Sequence, residues 1–148
     1  MISAILLAAG ESKRMSGNKL LSRFGNSTIF EQSIDNLLNS KVDEVIVVLG
    51  HKAEEMIGLI ASRPVSIVVN PAYREGMSTS IVVGLNVVNR RTRGLMLSLA
   101  DQPLVDSQAI NRLIEAFAAN DKGIVIPVYQ DRRGHPVIFA ISYRAELL

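Results

Sequence analysis

The feature that most constrains this chain is a regular alternation of two apolar patterns. Nearly continuous Val, Ile and Leu runs occupy residues 2–8, 44–49, 66–69, 95–99, 123–127 and 136–140. Runs without polar alternation are the mark of strands covered on both faces. Between them the apolar residues return at helical spacing. Phe30, Ile34, Leu37 and Leu38 share one face, and Ile110, Leu113, Ile114 and Phe117 share another. A shorter helix is expected over 54–61 and a longer one over 77–89, starting near Ser78. Thr28, with Glu31 three positions on, forms a capping box, and Asp106 or Ser107 caps the helix near 110. Strands alternating with helices of this length predict an α/β fold of three layers, Rossmann-like, with a mostly parallel sheet and right-handed crossovers. Pro127 lies inside the fifth run and argues for an edge position or a bulge there. At 148 residues, with no internal repeat, low-complexity tract or linker, the chain has room for one core and one domain.

In open α/β sheets, ligands bind beyond the carboxyl ends of the strands. Here the loops in that position hold half of the glycines and aspartates and both histidines. They read "GESKRMSGNK", "GHK", "NPAYREGMSTS", "ADQPLVD" and "YQDRRGHP". The first carries Lys13, Arg14 and Lys19 around Gly10 and Gly17. It is not a Walker A loop, because Leu20 rather than Ser or Thr follows Lys19, and it lacks the G-x-G-x-x-G fingerprint. Gly10 lets the backbone turn sharply and approach a ligand. Arg14 can grip phosphate oxygens in a fork, and Lys19 supplies a point charge suited to phosphoryl transfer.

Composition removes other classes. With no Cys at all, disulfides, iron–sulfur clusters, thiolate zinc sites and cysteine nucleophiles are excluded. Two histidines do not make a zinc site, and His51 is given no functional role. A net charge of +2 suits an anionic ligand but not nucleic acid. The triplet Arg90, Arg91 and Arg93 reads as a solvated helix end. No apolar run reaches membrane-spanning length and no cationic leader precedes the first strand, so a cytoplasmic location without membrane contact is expected.

"LAAGESKRM" followed by "KLL" resembles the signature loop of the nucleotidyltransferases that make activated sugars, isoprenoid precursors and dinucleotide cofactors. "NPAYREGMSTSIVVGL", "LADQP" and "GHPVIF" refine the likeness. Together these stretches are most similar to the molybdenum cofactor cytidylyltransferases, and they cover nearly the whole chain.

The resemblance implies roles at matching positions. The backbone of Ala8, Ala9 and Gly10 would face base and ribose, while Arg14 and Lys19 would hold the triphosphate. Asp101 of "LADQP" would bind Mg²⁺, as a carboxylate at a central strand end can; as a turn residue it would need no ligand. Gly76, Ser78 and Ser80 would line the nucleotide and acceptor sites, with Ser78 also able to cap the following helix. Asn70 would contact nucleotide or hold the turn before Pro71. His135 would lie near the molybdopterin end, or be an ordinary hairpin histidine.

Two departures stand out. The family commonly has Gly-x-Pro-Lys after the Arg-Met pair, where this chain has "SGNK". Family members also usually continue past "GHPVIF", often bringing a second metal ligand, whereas this sequence stops at "ISYRAELL". The expectation is a single nucleotidyltransferase domain lacking its C-terminal segment. The implied reaction transfers CMP from CTP to the phosphate of molybdopterin, releasing pyrophosphate. The preference for CTP is implied by the resemblance, through "LAAG" where the guanylyl enzymes tend to have a second glycine and through "DQP" after the strand; Ala9 would add a methyl where a purine edge needs room. The alternatives are GTP, or another phosphorylated acceptor such as a sugar phosphate. A non-catalytic cofactor-binding factor that serves a molybdenum hydroxylase apoenzyme is the rival of a different class.

Overall fold

The apolar runs do form a sheet, described by a computed structural model for residues 1–10 and 19–148. Lys13, Arg14 and Gly17 lie outside the described residues. The elements in chain order begin with β1 (Ile2–Ala8), β2 (Arg23–Phe24), β3 (Ser27–Thr28) and α1 (Ile29–Leu38). Next come β4 (Glu44–Leu49), α2 (Ala53–Ile60), β5 (Ser66–Val69), α3 (Met77–Leu85) and β6 (Gly94–Leu99). The chain finishes with α4 (Ser107–Ala119), β7 (Ile124–Val125), β8 (Val128–Tyr129), β9 (Arg132–Arg133), β10 (Val137–Ala140) and α5 (Arg144–Leu147).

Six strands form one sheet in the order β5-β4-β1-β6-β10-β7. β5, β4, β1 and β6 run parallel, and β10 pairs antiparallel with both β6 and β7. The sheet is therefore mostly parallel, as expected. One face packs under α1, α2 and α4 through Ala4, Leu6, Val47, Met96 and Ile138. The other packs under α3 and α5 through Ile5, Leu7, Ile46, Val48 and Leu97. α3 lies close to the sheet because Gly84 has no side chain: a Cβ there would come within 2.7 Å of Ile5 Cγ2.

Local chemistry sets the helix starts. Glu31 N donates to Thr28 Oγ1, and Asp106 rather than Ser107 caps α4, accepting from Ala109 N at 2.9 Å. The start of α3 differs from expectation. Its N-cap is Gly76, at φ 119°, and Ser78 already lies within the first turn. A left-handed φ is open to glycine without strain, so the chain turns into the helix two residues early. α3 also stops at Leu85, short of the expected 89. The expected strand 123–127 is only Ile124–Val125, and it lies at the sheet edge. Pro127 cannot donate to a ladder. The segment read as a loop after it contains a β8–β9 hairpin, which turns through Gln130 and Asp131 at φ 49° and 65°.

Away from the sheet ends, Arg63 bridges α2 to α1. It donates to Asp35 at 2.8 and 3.1 Å and to Glu31 at 3.2 Å. These carboxylates, the hydrogen bond to Asp35 first, hold its pKa above the ordinary guanidinium value.

Candidate active site

The carboxyl ends of β1 and β6 lie side by side, since Leu7 pairs with Leu99 and Ala100 N donates to Leu7 O. The loops that leave them open a cavity of about 270 Å³. It is lined by Ala8, Ala9 and Gly10 from the first loop, by Lys19, by Ser80 of α3 and by Asp101 beyond β6. Six of the positions expected at the site thus meet around one space. They come from segments far apart in the chain, Ala8 and Asp101 among them, because a parallel sheet turns every strand's carboxyl end the same way.

Lys19 is exposed and begins a short 3-10 turn, Lys19–Leu21, whose Leu20 is buried in the core beside Ala8. That anchor holds the backbone of Lys19, which is exposed and lines the cavity. Asp101 is exposed, the second residue of the turn beyond the strand end, after the buried Ala100. Among the described residues no group of three or more His, Cys, Asp or Glu gathers to hold a metal by protein ligands alone. A single carboxylate on a cavity that among the described residues also holds Lys19 suits Mg²⁺, which keeps several waters and takes its remaining ligands from substrate phosphates. These residues fit that ion.

Asn70 is buried at 1% exposure, and its side chain is fully engaged. Nδ2 donates to Thr79 Oγ1 at 2.8 Å and to Ser80 Oγ at 2.9 Å, while Oδ1 accepts from Ala72 N at 3.0 Å. Both donors face the protein, so Asn70 ties the end of β5 to the first turn of α3 and orients Ser80. Gly76 and Ser78 are exposed beside the cavity but do not line it. His135 precedes β10 and, because Val137 pairs with Leu97, stands at the same end of the sheet. It is half-buried and likewise outside the cavity wall.

The wall also contains Tyr73 and Met77, which sequence reasoning did not select. Tyr73 packs across Gly50, where a Cβ would lie 2.7 Å from both its Cβ and its Cγ. Its hydroxyl is 3.5 Å from His51 Nδ1, and the Arg74 guanidinium lies 5.6 Å from its ring centroid. His51 N in turn donates to Ala9 O. An aromatic in a polar post-strand loop, in a chain with only three Tyr and four Phe, is the signal that could have found it. Leu7, Leu20 and Leu99 complete an apolar floor.

Comparison with known proteins agrees with this geometry. Nicotine blue oxidoreductase of Paenarthrobacter nicotinovorans is 28% identical, the match covering 97% of this chain and 72% of that protein. Molybdenum cofactor cytidylyltransferase of Escherichia coli K12 is 27% identical, covering 93% and 69%. The crystal structure of Rv0371c from Mycobacterium tuberculosis H37Rv superposes with a TM-score of 0.89 at 31% identity, over 99% of this chain and 74% of that one. The manganese complex of the same protein superposes at 0.84 and 28% identity, with the same coverage. The sequence matches the MobA-like NTP transferase domain over residues 4–148, nearly its whole length. The chain belongs to the MobA-like NTP transferase family and is a nucleotidyltransferase.

Proposed function

We propose that this nucleotidyltransferase moves CMP from CTP to the phosphate of molybdopterin, with Mg²⁺ bound at Asp101. The observation that carries the reading is the meeting of Lys19, Asp101 and the Ala8–Gly10 backbone around one cavity at the strand ends. A cation and a carboxylate on the same small space suit a triphosphate that arrives with a divalent metal. The named activity of the E. coli relative supports CTP and the molybdenum cofactor, and the manganese complex of the mycobacterial protein supports a divalent ion.

An acceptor phosphate is already an anion, so attack on the α-phosphorus of CTP, with pyrophosphate leaving, requires no general base. The protein's part is positioning and charge neutralisation. Lys19 would pair with the triphosphate, joined by Arg14 of the same loop. The buried methyl of Ala9 would narrow the base site in favour of a pyrimidine. Gly76, Ser78 and His135, at the same end of the molecule but beyond the cavity wall, would meet the acceptor. Bound Mg²⁺ would offset negative charge on the phosphates. A molybdenum hydroxylase apoenzyme would receive the product, in the cytoplasm. Among the described residues no helix is long and apolar enough to cross a membrane.

The test is pyrophosphate release from CTP and from GTP, with molybdopterin as acceptor, each with and without Mg²⁺. Magnesium-dependent release with CTP well above GTP is expected. Release from GTP alone would move the base preference. Tight CTP binding with no release would point to a cofactor-binding factor.

A further inference from the structure

We infer that Ser33 and Asn36, two buried polar residues of α1, are positioning residues that fix the turn carrying Asp101. The inference rests on the reading of Asp101 as the metal-binding carboxylate. By helical periodicity Ser33 borders the apolar face set by Phe30, Ile34 and Leu37, while Asn36 lies off that face, beside Ser33; once buried, a hydroxyl and a carboxamide are costly unless bonded. They are 4% and 7% exposed.

Their partners lie far along the chain. Ser33 Oγ donates to Ala100 O at 2.7 Å, closer than its in-helix alternative, Ile29 O, at 3.0 Å. Asn36 Nδ2 donates to Pro103 O at 2.9 Å, and Gln32 Nε2 holds Asn36 Oδ1 at 2.9 Å, which orients the amide. The two carbonyls bracket Asp101 and Gln102. Among the described residues no hydrogen bond or ion pair holds the Asp101 carboxylate itself, so its aim is set by the backbone beneath it.

A small cavity of about 20 Å³ lies under the turn, among Ser33, Ser98, Gln102 and Pro136. Ser98 Oγ, buried in that wall, has no hydrogen-bond partner. The two bonds from α1 therefore tie the turn to the helix, while the bond from Ala100 N to Leu7 O ties its start to β1. Groups that orient a metal ligand typically change metal affinity by about 10–100-fold when removed.

The experiment is Mn²⁺ titration by electron paramagnetic resonance, with Mn²⁺ alone and with CTP, on the wild type, Ser33→Ala, Asn36→Ala, Asp101→Asn and Ser3→Ala. Amide hydrogen exchange over residues 100–105 is followed in parallel. Ser3→Ala is the stability control. Ser3 is fully buried and bonded to Glu44 and Thr92 at the far end of β1, so it also loses a buried hydroxyl. The expected result is Mn²⁺ affinity weakened about 10-fold or more in Ser33→Ala and Asn36→Ala, with faster exchange at 100–105. Ser3→Ala should lose melting temperature but keep wild-type affinity. If neither α1 variant folds, Gln32→Ala, which releases only the orientation of Asn36, carries the same comparison. Affinity and exchange in the α1 variants equal to those of Ser3→Ala would overturn the inference while leaving the role of Asp101 intact. Wild type and Asp101→Asn binding Mn²⁺ alike would remove that role, and this inference with it.

Discussion

Replacing Asn70 by alanine tests whether this residue serves the fold or the ligand directly. Three hydrogen bonds leave with the side chain, to Thr79 Oγ1, Ser80 Oγ and Ala72 N, at a site 1% exposed to solvent. At about 1 kcal/mol net for each, the loss is about 3 kcal/mol, with a small cavity added. For a domain of this size, 1 kcal/mol shifts Tm by about 2–4 °C, so Asn70→Ala should melt roughly 6–12 °C lower. Asn70→Asp should lose at least as much, because the carboxylate cannot donate to Thr79 or Ser80 and its charge is buried without a cation beside it. The assay is thermal unfolding by circular dichroism, paired with CTP titration below the lower Tm. Weaker CTP binding should appear only together with the lost stability, since Ser80 then loses its orientation. Unchanged Tm with weakened binding would refute the argument and make Asn70 a direct nucleotide contact.

Lys19→Ala should lower turnover about 100-fold or more, as for removal of one group that stabilises transition-state charge, while leaving Tm near wild type because the ammonium is exposed; normal turnover would remove Lys19 from the site. Gly84→Ala should destabilise by about 1–3 kcal/mol by forcing α3 off Ile5 and Val48, and equilibrium unfolding in urea would show it as a lower midpoint. Arg63→Ala should cost about 1–2 kcal/mol, given its paired but partly exposed contacts with Asp35 and Glu31. A raised pKa keeps a cation's contribution in place until pH climbs through the folded value, above the ordinary guanidinium range. The Arg63 contribution should therefore stay flat in urea unfolding across neutral and mildly alkaline pH.

Much of the site could be read from sequence because its determinants are local. Gly10, Lys19 and Asp101 each follow an apolar run, and a parallel sheet collects whatever follows its strands at one end. Ser78 was harder, since Ser and Gly both begin helices and only the backbone at Gly76 decides which does. Asn70 was legible as polar and near a turn, but the direction of its amide depends on α3 folding back against β5. Tyr73 escaped because its place in the wall depends on Gly50, whose bare backbone makes room for the ring.

Taken by itself, the sequence determined the layer architecture and the end of the sheet where chemistry sits. Hydrophobic periodicity is a short-range property, and burying each stripe leaves few ways to stack strands and helices. Only the tertiary structure decided the antiparallel return of β10 beside β6 and the hairpin beyond Pro127. It also decided that two polar residues of α1 are buried. Read along the helix, Ser33 borders an apolar face and Asn36 falls outside it. Their partners are 67 residues away, on a turn that exists only once β6 has entered the sheet. A hydrogen bond between such distant segments leaves no periodic trace in sequence, because it is selected by the packing of the folded chain.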